Sequence, residues 1–257
     1  MDIYQHFRKE EEPFIDQVIS WRSQVTNRYE VKLTDFLHPR EQHIFENVIG
    51  NDETLQLHFY GLWDNAERKR AVLAQYYEQI EDKDFEVVVL QAKFNEKFIK
   101  MEHRDVLGAF LSAGIKRDKL GDLVIQNGVI QILVCKDIST YLMANVTSIK
   151  RANLEFTEVS AQHKLTSQND WSTFHTTCSS LRLDVLIKEM YNISRQLASD
   201  SIKKGHVKVN HQLIDQPAYL IEANDMISVR GKGRTRLDSF DGRSKKDKLK
   251  ITYSKLL

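Results

Sequence analysis

The chain has 257 residues, with 37 Lys and Arg against 36 Asp and Glu, 41% hydrophobic and 28% charged side chains. That length allows two or three small domains, and the balance is that of soluble globular proteins rather than disordered ones. The longest aliphatic run, residues 87–90, is far too short for a membrane span, and Cys135 and Cys178 support neither a disulfide framework nor a zinc-type spacing.

The start of the sequence lacks a basic segment followed by an apolar one, so the expectation is a cytoplasmic protein with no membrane association. Its charge is unevenly spread. Residues 171–257 hold 16 basic and 9 acidic groups, a net of +7, whereas residues 1–170 are net −6. Such a split suggests one part that meets a polyanion and another that does not.

In chain order, Phe14, Val18 and Trp21 repeat at helical spacing, as do Ile15 and Ile19. Pro39 marks a break before a second helix carrying Ile44, Phe45 and Val48, which Gly50 ends. Residues 55–59 alternate like a strand. Asp64 stands where a cap belongs for a helix over 66–80, with Val72, Leu73, Tyr76 and Ile80 as its apolar stripe. Residues 1–83 therefore read as a small α/β domain.

Residues 84–160 change rhythm. A β-rich stretch over 85–94 precedes a helix over 103–113 with Leu107, Phe110 and Leu111 at i, i+3 and i+4. Two apolar runs, 122–126 and 129–135, flank Asn127-Gly128, the dipeptide that suits a two-residue hairpin because both positions need φ > 0. A helix over 138–146 and a strand over 153–159 complete β-α-β-β-α-β, the ferredoxin-like order also used by RNA-recognition motifs. The exposed aromatic pair that stacks bases in such motifs is not visible, and Phe94 and Phe98 read as core or edge packing. Residues 161–173 are mostly polar and read as a linker or edge segment.

Leu183, Leu186, Ile187 and Met190 define a short amphipathic helix, and Ser194 stands at the N-cap of a second one in which Leu197, Ala198 and Ile202 face inward until Gly205. Residues 207–210 and 227–230 alternate like strands. Arg182, Arg195, Lys203, Lys204, Lys208 and Asn210 project from the ends and edges of these elements. A helix N-terminus beside an Arg suits phosphate, through exposed amides and bidentate donors. The run from Arg230 to Lys250, which includes Lys232 and Arg234, has nine basic and three acidic residues. By itself it fits a solvated tail as well as a nucleic-acid contact, and the aromatic residues Phe240 and Tyr253 beside it tilt the reading to the latter. Lys116, Arg117 and Lys119 form a second basic cluster.

The pattern Arg182-Leu183-Asp184, Ser194-Arg195-x-x-Ala198, Ile202-x-x-Gly205-x-Val207-x-Val209-Asn210 and Asp225-x-Ile227-x-Val229 resembles the alpha-L RNA-binding module, with His211 departing where Gly is usual. Residues 34–41 (Thr-Asp-Phe-Leu-x-Pro-Arg-Glu), Gly61 with 66–71 (Ala-Glu-Arg-Lys-Arg-Ala) and 114–122 (Gly-Ile-Lys-Arg-Asp-Lys-Leu-Gly-Asp) resemble the YlmH family across nearly the whole chain. The resemblance implies an α+β protein: an N-terminal α/β domain (1–83), a ferredoxin-like domain (84–160) and an alpha-L module with a basic tail (175–257). It implies RNA contacts through Arg182, Asp184, Ser194, Arg195, Lys203, Lys204, Lys208, Asn210, Arg230, Lys232 and Arg234, with Lys116 and Arg117 as a second site. It also implies a bacterial, cytoplasmic, monomeric factor without a cofactor. The implied partners are the large-subunit ribosomal RNA, tRNA and an elongation protein that adds alanine tails to stalled nascent chains.

Catalytic patterns are incomplete. His103-Arg104-Asp105 imitates a kinase loop without its companions, and Gly231-Lys232-Gly233 has neither a P-loop nor a dinucleotide fingerprint. Arg182-Leu183-Asp184 matches the nucleophile motif of pseudouridine synthases, but Val185-Leu186-Ile187 follows it, so Asp184 reads as a cap or as a partner of a nearby Arg. His175 and Cys178 lack a third metal ligand and read as structural. A non-catalytic ribosome-binding factor is therefore favoured over an RNA-modifying enzyme with a site within 1–160, and a cell-division role cannot be judged from residues.

Overall fold

In the computed structural model, which describes residues 3–166 and 171–256, Pro13 stands in the first turn of α1 (Glu12–Arg28). Ile15, Val18, Trp21 and Val25 form its buried stripe, while Ile19 is exposed. Strand β1 (Lys32–Leu33) leads to α2 (Pro39–Ile49), whose start is closed reciprocally: Glu41 N donates to His38 Nδ1 (3.3 Å) and His38 N to Glu41 Oε2 (2.8 Å). β2 (Leu55–Tyr60) and β3 (Arg70–Gln75) complete a three-stranded sheet of order β1-β3-β2.

Strand β3 replaces the helix expected over 66–80. It is the central strand, buried at all six positions: Ala71 and Leu73 pack with α1 and α2, while Val72 and Ala74 pack with Phe85. A strand covered on both faces loses its two-residue alternation, and a continuous apolar run then mimics a helix. Tyr76, assigned to the helical stripe, is exposed.

The chain continues through β4 (Val87–Lys93), α3 (His103–Ser112), β5 (Leu120–Gln126), β6 (Val129–Cys135), α4 (Lys136–Asn145), the separate short hairpin of β7 (Ser148–Ile149) and β8 (Ala152–Asn153), and β9 (Thr157–Val159). The expected strand over 153–159 is thus split, because Leu154 and Phe156 turn into the core between β8 and β9. Asn127 and Gly128 both have positive φ in the β5–β6 turn. Sheet order β5-β6-β4-β9, antiparallel throughout, is the ferredoxin-like arrangement. One face packs on Val106, Phe110 and Leu142 of α3 and α4.

The other face is where RNA-recognition motifs stack bases. Here it is covered by the protein itself. Val89, Val124, Leu133 and Cys135 pack against Phe36, Leu62, Trp63 and Ala66. Residues 161–165, expected to link or edge domains, are strapped across it instead. Gln131 donates to His163 O (2.9 Å) and accepts from Leu165 N (2.7 Å), and Trp63 Nε1 donates to Leu165 O (2.7 Å). Of the rest of that expected linker, residues 167–170 lie outside the described residues, and residues 171–173 belong to a strand instead. Phe98, expected to pack in a core or edge, is 82% exposed on a turn after Asn95.

The stretches 34–41, 66–71 and 114–122 meet at one junction. Arg68 donates to Phe36 O (2.6 Å), Arg70 to Thr34 O (2.6 Å), Asp122 accepts from Glu67 N (2.6 Å) and Arg68 N (3.2 Å), and Phe36 N donates to Asp118 O (2.7 Å). Lys119 pairs with Asp35 and Asp137, and Arg117 donates to Leu120 O and Gly121 O. These charges hold the first compact unit, Met1–Gln168, together.

The second unit, Asn169–Leu257, begins with β10 (Trp171–Cys178). It continues through α5 (Leu183–Tyr191), α6 (Arg195–Lys203), β11 (Val207–Val209), β12 (Gln212–Leu213), β13 (Met226–Val229), β14 (Gly233–Arg243) and β15 (Leu249–Leu256). The basic run is therefore a long hairpin rather than a tail. The strands form one six-stranded sheet, β10-β15-β14-β13-β11-β12, with α5 and α6 packed on one face through Leu186, Ile187, Ala198, Ile202 and Leu237. Both thiols are buried: burial pushes Cys135 up to about 12 and raises Cys178 above its ordinary value, so neither is a ready nucleophile.

A Cβ added at Gly121 would lie 2.7 Å from the ring of the fully buried Phe36 and 3.2 Å from Leu133. Gly121→Ala should therefore destabilise the first unit by about 1–3 kcal/mol through overpacking, seen as a lower melting temperature, while Gly108→Ala, exposed on α3 with open space around its Cβ position, serves as the surface comparison.

Candidate nucleic-acid interface

The end of the second unit's helix pair is organised by one carboxylate. Arg182 precedes α5 with its backbone pinned to the 217–221 segment: Leu183 N donates to Tyr219 O (2.8 Å) and Asp184 N to Pro217 O (3.1 Å). Asp184, in the first turn, has a side chain only 4% exposed. It accepts a forked pair from Arg182, Nε to Oδ1 (3.0 Å) and Nη2 to Oδ2 (3.1 Å), and a third bond from Arg195 Nε to Oδ2 (2.9 Å). Burial alone would raise the Asp184 carboxyl, but the two guanidinium groups outweigh it and hold it below its ordinary value.

This fixes two arginines side by side. Their side chains are 37% and 57% exposed, and most of the five N–H donors on each guanidinium are not engaged by Asp184. Ser194 caps α6, its Oγ accepting from Leu197 N (3.1 Å), so Arg195 lies in the first helical turn, where backbone amides attract anions. Leu197, expected inside, is 47% exposed, because the buried stripe of α6 runs through Ala198 and Ile202 alone. The arrangement suits phosphate oxygens or other planar anions.

Lys203 and Lys204 are exposed at the other end of α6. The turn carrying exposed Arg230 and Lys232 lies beside them, because Arg230 N donates to His206 O (2.8 Å). Lys208 and Arg234 belong elsewhere: cross-strand register puts them on the sheet face opposite the helices. Lys116 is exposed in the first unit, while Arg117 is half-buried and braces its own turn.

Asn210, expected at an RNA contact, is corrected to a structural role. Its amide donates to Asp225 Oδ1 (2.6 Å) and accepts from Met226 N (3.0 Å), and the residue is buried. Asn210 and His211, at φ 48° and 71°, form the two-residue turn between β11 and β12. Asp184 likewise acts through the arginines it holds. Among the described residues, no group of three or more His, Cys, Asp or Glu could hold a metal ion, and no helix is long and apolar enough to cross a membrane.

Family models match three stretches: "YlmH, N-terminal" over residues 10–78, "Putative RNA-binding domain in YlmH" over 81–163, and "S4 domain" over 181–227. A protein of Bacillus subtilis (strain 168) named "Ribosome-associated protein quality control protein P2" is 39% identical over 254 residues, 99% of this chain and 98% of that one. The chain belongs to the YlmH family. A solved structure, "Cell division protein ylmH from Streptococcus pneumoniae", matches 63% of this chain and 98% of its own with a TM-score of 0.54 and 26% identity. The S4 match of this YlmH-family chain covers the Asp184 clamp, Lys203, Lys204 and Lys208, but stops short of Arg230, β14 and β15.

Asp184→Ala should free both arginines and weaken binding of a short RNA stem by about tenfold or more, measured by anisotropy. A carboxyl held below its ordinary value stabilises above the unfolded pKa of about 3.9 and loses that contribution only as pH falls through the folded value. The melting-temperature gap between wild type and Asp184→Ala should therefore stay constant between pH 8 and 5.

Proposed function

We propose that this protein is a non-catalytic RNA-binding factor in ribosome-associated quality control. It associates with the large ribosomal subunit through ribosomal RNA and with the peptidyl-tRNA left after a stall, and it supports alanine tailing of the nascent chain by a partner elongation protein. The observation that carries the RNA reading is the Asp184 clamp, a buried carboxylate that preorganises Arg182 and Arg195 beside a capped helix N-terminus. The quality-control setting rests on the name of the Bacillus relative, which matches this chain end to end.

In this reading Arg182, Arg195, Ser194, Lys203, Lys204, Arg230 and Lys232 face RNA, with Asp184 and Asn210 positioning them and Lys116 as a separate contact. The chain works as a cytoplasmic monomer of three domains (1–83, 84–160, 175–257). Asp184 is a poor nucleophile because both its oxygens already accept bonds from arginines.

Co-sedimentation with purified large subunits tests the proposal. Arg182→Ala and Arg195→Ala should each lower the bound fraction, measured well below the melting temperature because each leaves the buried Asp184 carboxylate with one arginine and lowers that temperature. Log K should fall linearly with log salt, and Lys203→Ala with Lys204→Ala should flatten the slope by about two charges. Unchanged sedimentation in both arginine variants would remove the assignment. If a specific RNA modification disappears in Asp184→Asn while subunit binding stays normal, the protein is an enzyme instead.

A further inference from the structure

The outward face of the six-stranded sheet carries a second set of groups suited to nucleic acid, most of it outside the residues that the S4 model matches. Antiparallel register places Lys208, Ser228 and Arg234 in one row across β11, β13 and β14, and Trp171 pairs with Leu256 on β15. The next row holds Arg236, Ser254 and Thr173, and the one after it Ser239, Thr252 and His175. The helices occupy the opposite face, where Val207, Val209, Thr235, Leu237 and Ile251 are buried; on the outward face Lys208, Thr173, His175 and Lys250 are exposed and Ser254 is buried, while Phe174, on the helix side of β10, is 39% exposed.

Two features distinguish this face from an ordinary solvated one. The guanidinium of Arg236 lies over the Trp171 ring, 5.4 Å from its centroid, so the indole is flanked by positive charge. Arg236 is itself fixed: its Nε donates to Asp238 Oδ1 (2.7 Å), whose Oδ2 accepts from Ser254 Oγ (2.6 Å). His175 is likewise held, its Nδ1 3.0 Å from Thr252 Oγ1. The acid among these rows, Asp238, is paired with Arg236 and balanced by Lys208, Arg234 and Lys250.

We propose that this face binds a single-stranded RNA segment, with Trp171 and His175 as stacking surfaces and Lys208, Arg234 and Lys250 contacting phosphates. Four residues along a strand separate the two rings by about 13 Å, and the five strands from β11 to β10 span about 19 Å, room for a few extended nucleotides. Stacking on an aromatic ring is tolerant of sequence, since every base offers a π-face, and it needs unpaired bases. The helix-end clamp instead offers guanidinium donors to phosphates. The proposal rests on the RNA-binding reading of the second unit but assigns it a second surface and a different form of RNA.

Intrinsic fluorescence reads this face directly, because Trp21 and Trp63 are buried and Trp171 is the accessible indole. With the full-length protein, a ten-nucleotide oligouridylate should quench emission. A labelled copy of that oligonucleotide should bind Trp171→Ala about tenfold more weakly and Trp171→Phe nearly as well as wild type. Lys208→Gln, a surface change, should weaken it severalfold. All three variants should hold a blunt RNA duplex within twofold of wild type, whereas Arg182→Ala should lose the duplex first. Absence of quenching, or equal loss of both RNAs in Trp171→Ala, overturns the proposal. Quenching that persists without co-sedimentation overturns the ribosomal assignment and leaves this face standing.

Discussion

A buried carboxylate between two arginines sets what the second unit can do. Asp184 is ionised because Arg182 and Arg195 hold it so, and the arginines are ordered because it accepts from both. Each member depends on the others, since a buried charge without partners is unstable and a free arginine loses rotamer entropy on binding an anion. Around this triad the helix start, the Ser194 cap and the 217–221 segment are fixed by backbone bonds, so the surface exists before any ligand arrives. Preorganisation of this kind lowers the ordering cost of association.

Two sheets in this chain resolve their outer faces in opposite ways. In the ferredoxin-like unit the face that stacks bases in related topologies is closed by Phe36, Leu62, Trp63 and the 161–165 strap. Topology alone therefore does not give function there, and any RNA contact of that unit has to use loops or edges such as the turn at Lys116. In the second unit helices cover one face and the other stays open.

Much of the fold was legible because local signals agreed with tertiary ones. The Asn127-Gly128 turn, the Pro39 helix start and the stripe through Leu183, Leu186 and Met190 were all set by neighbours in sequence. β3 escapes its pattern because burial on both faces erases its period, and residues 161–165 escape theirs because they are held through the backbone of His163 and Leu165, which bonds the Gln131 and Trp63 side chains and leaves no trace in their own side chains. At the interface, Arg182 and Arg195 could be found from motif spacing, and Asp184 as their partner from its position in the helix. Asn210 was misassigned because its acceptor, Asp225, is 15 residues away and nothing local announces that bond. Trp171 was overlooked in an apparent linker, although the alternation Trp171, Thr173, His175 is a strand signal.

The pairing of β10 with β15 bears on the order of assembly. Trp171 lies opposite Leu256 and Cys178 opposite Leu249, and among the described residues β10 has no other neighbour in its sheet. During synthesis β10 leaves the exit tunnel first and must wait until β15 has followed. The helix pair and the β11–β13 ladder, by contrast, join elements close in sequence. Closing so long a loop is entropically slow, so the helix-end clamp can form on a nascent chain before the sheet is complete. A polypeptide interrupted in that window would carry its paired arginines yet lack a finished β-surface.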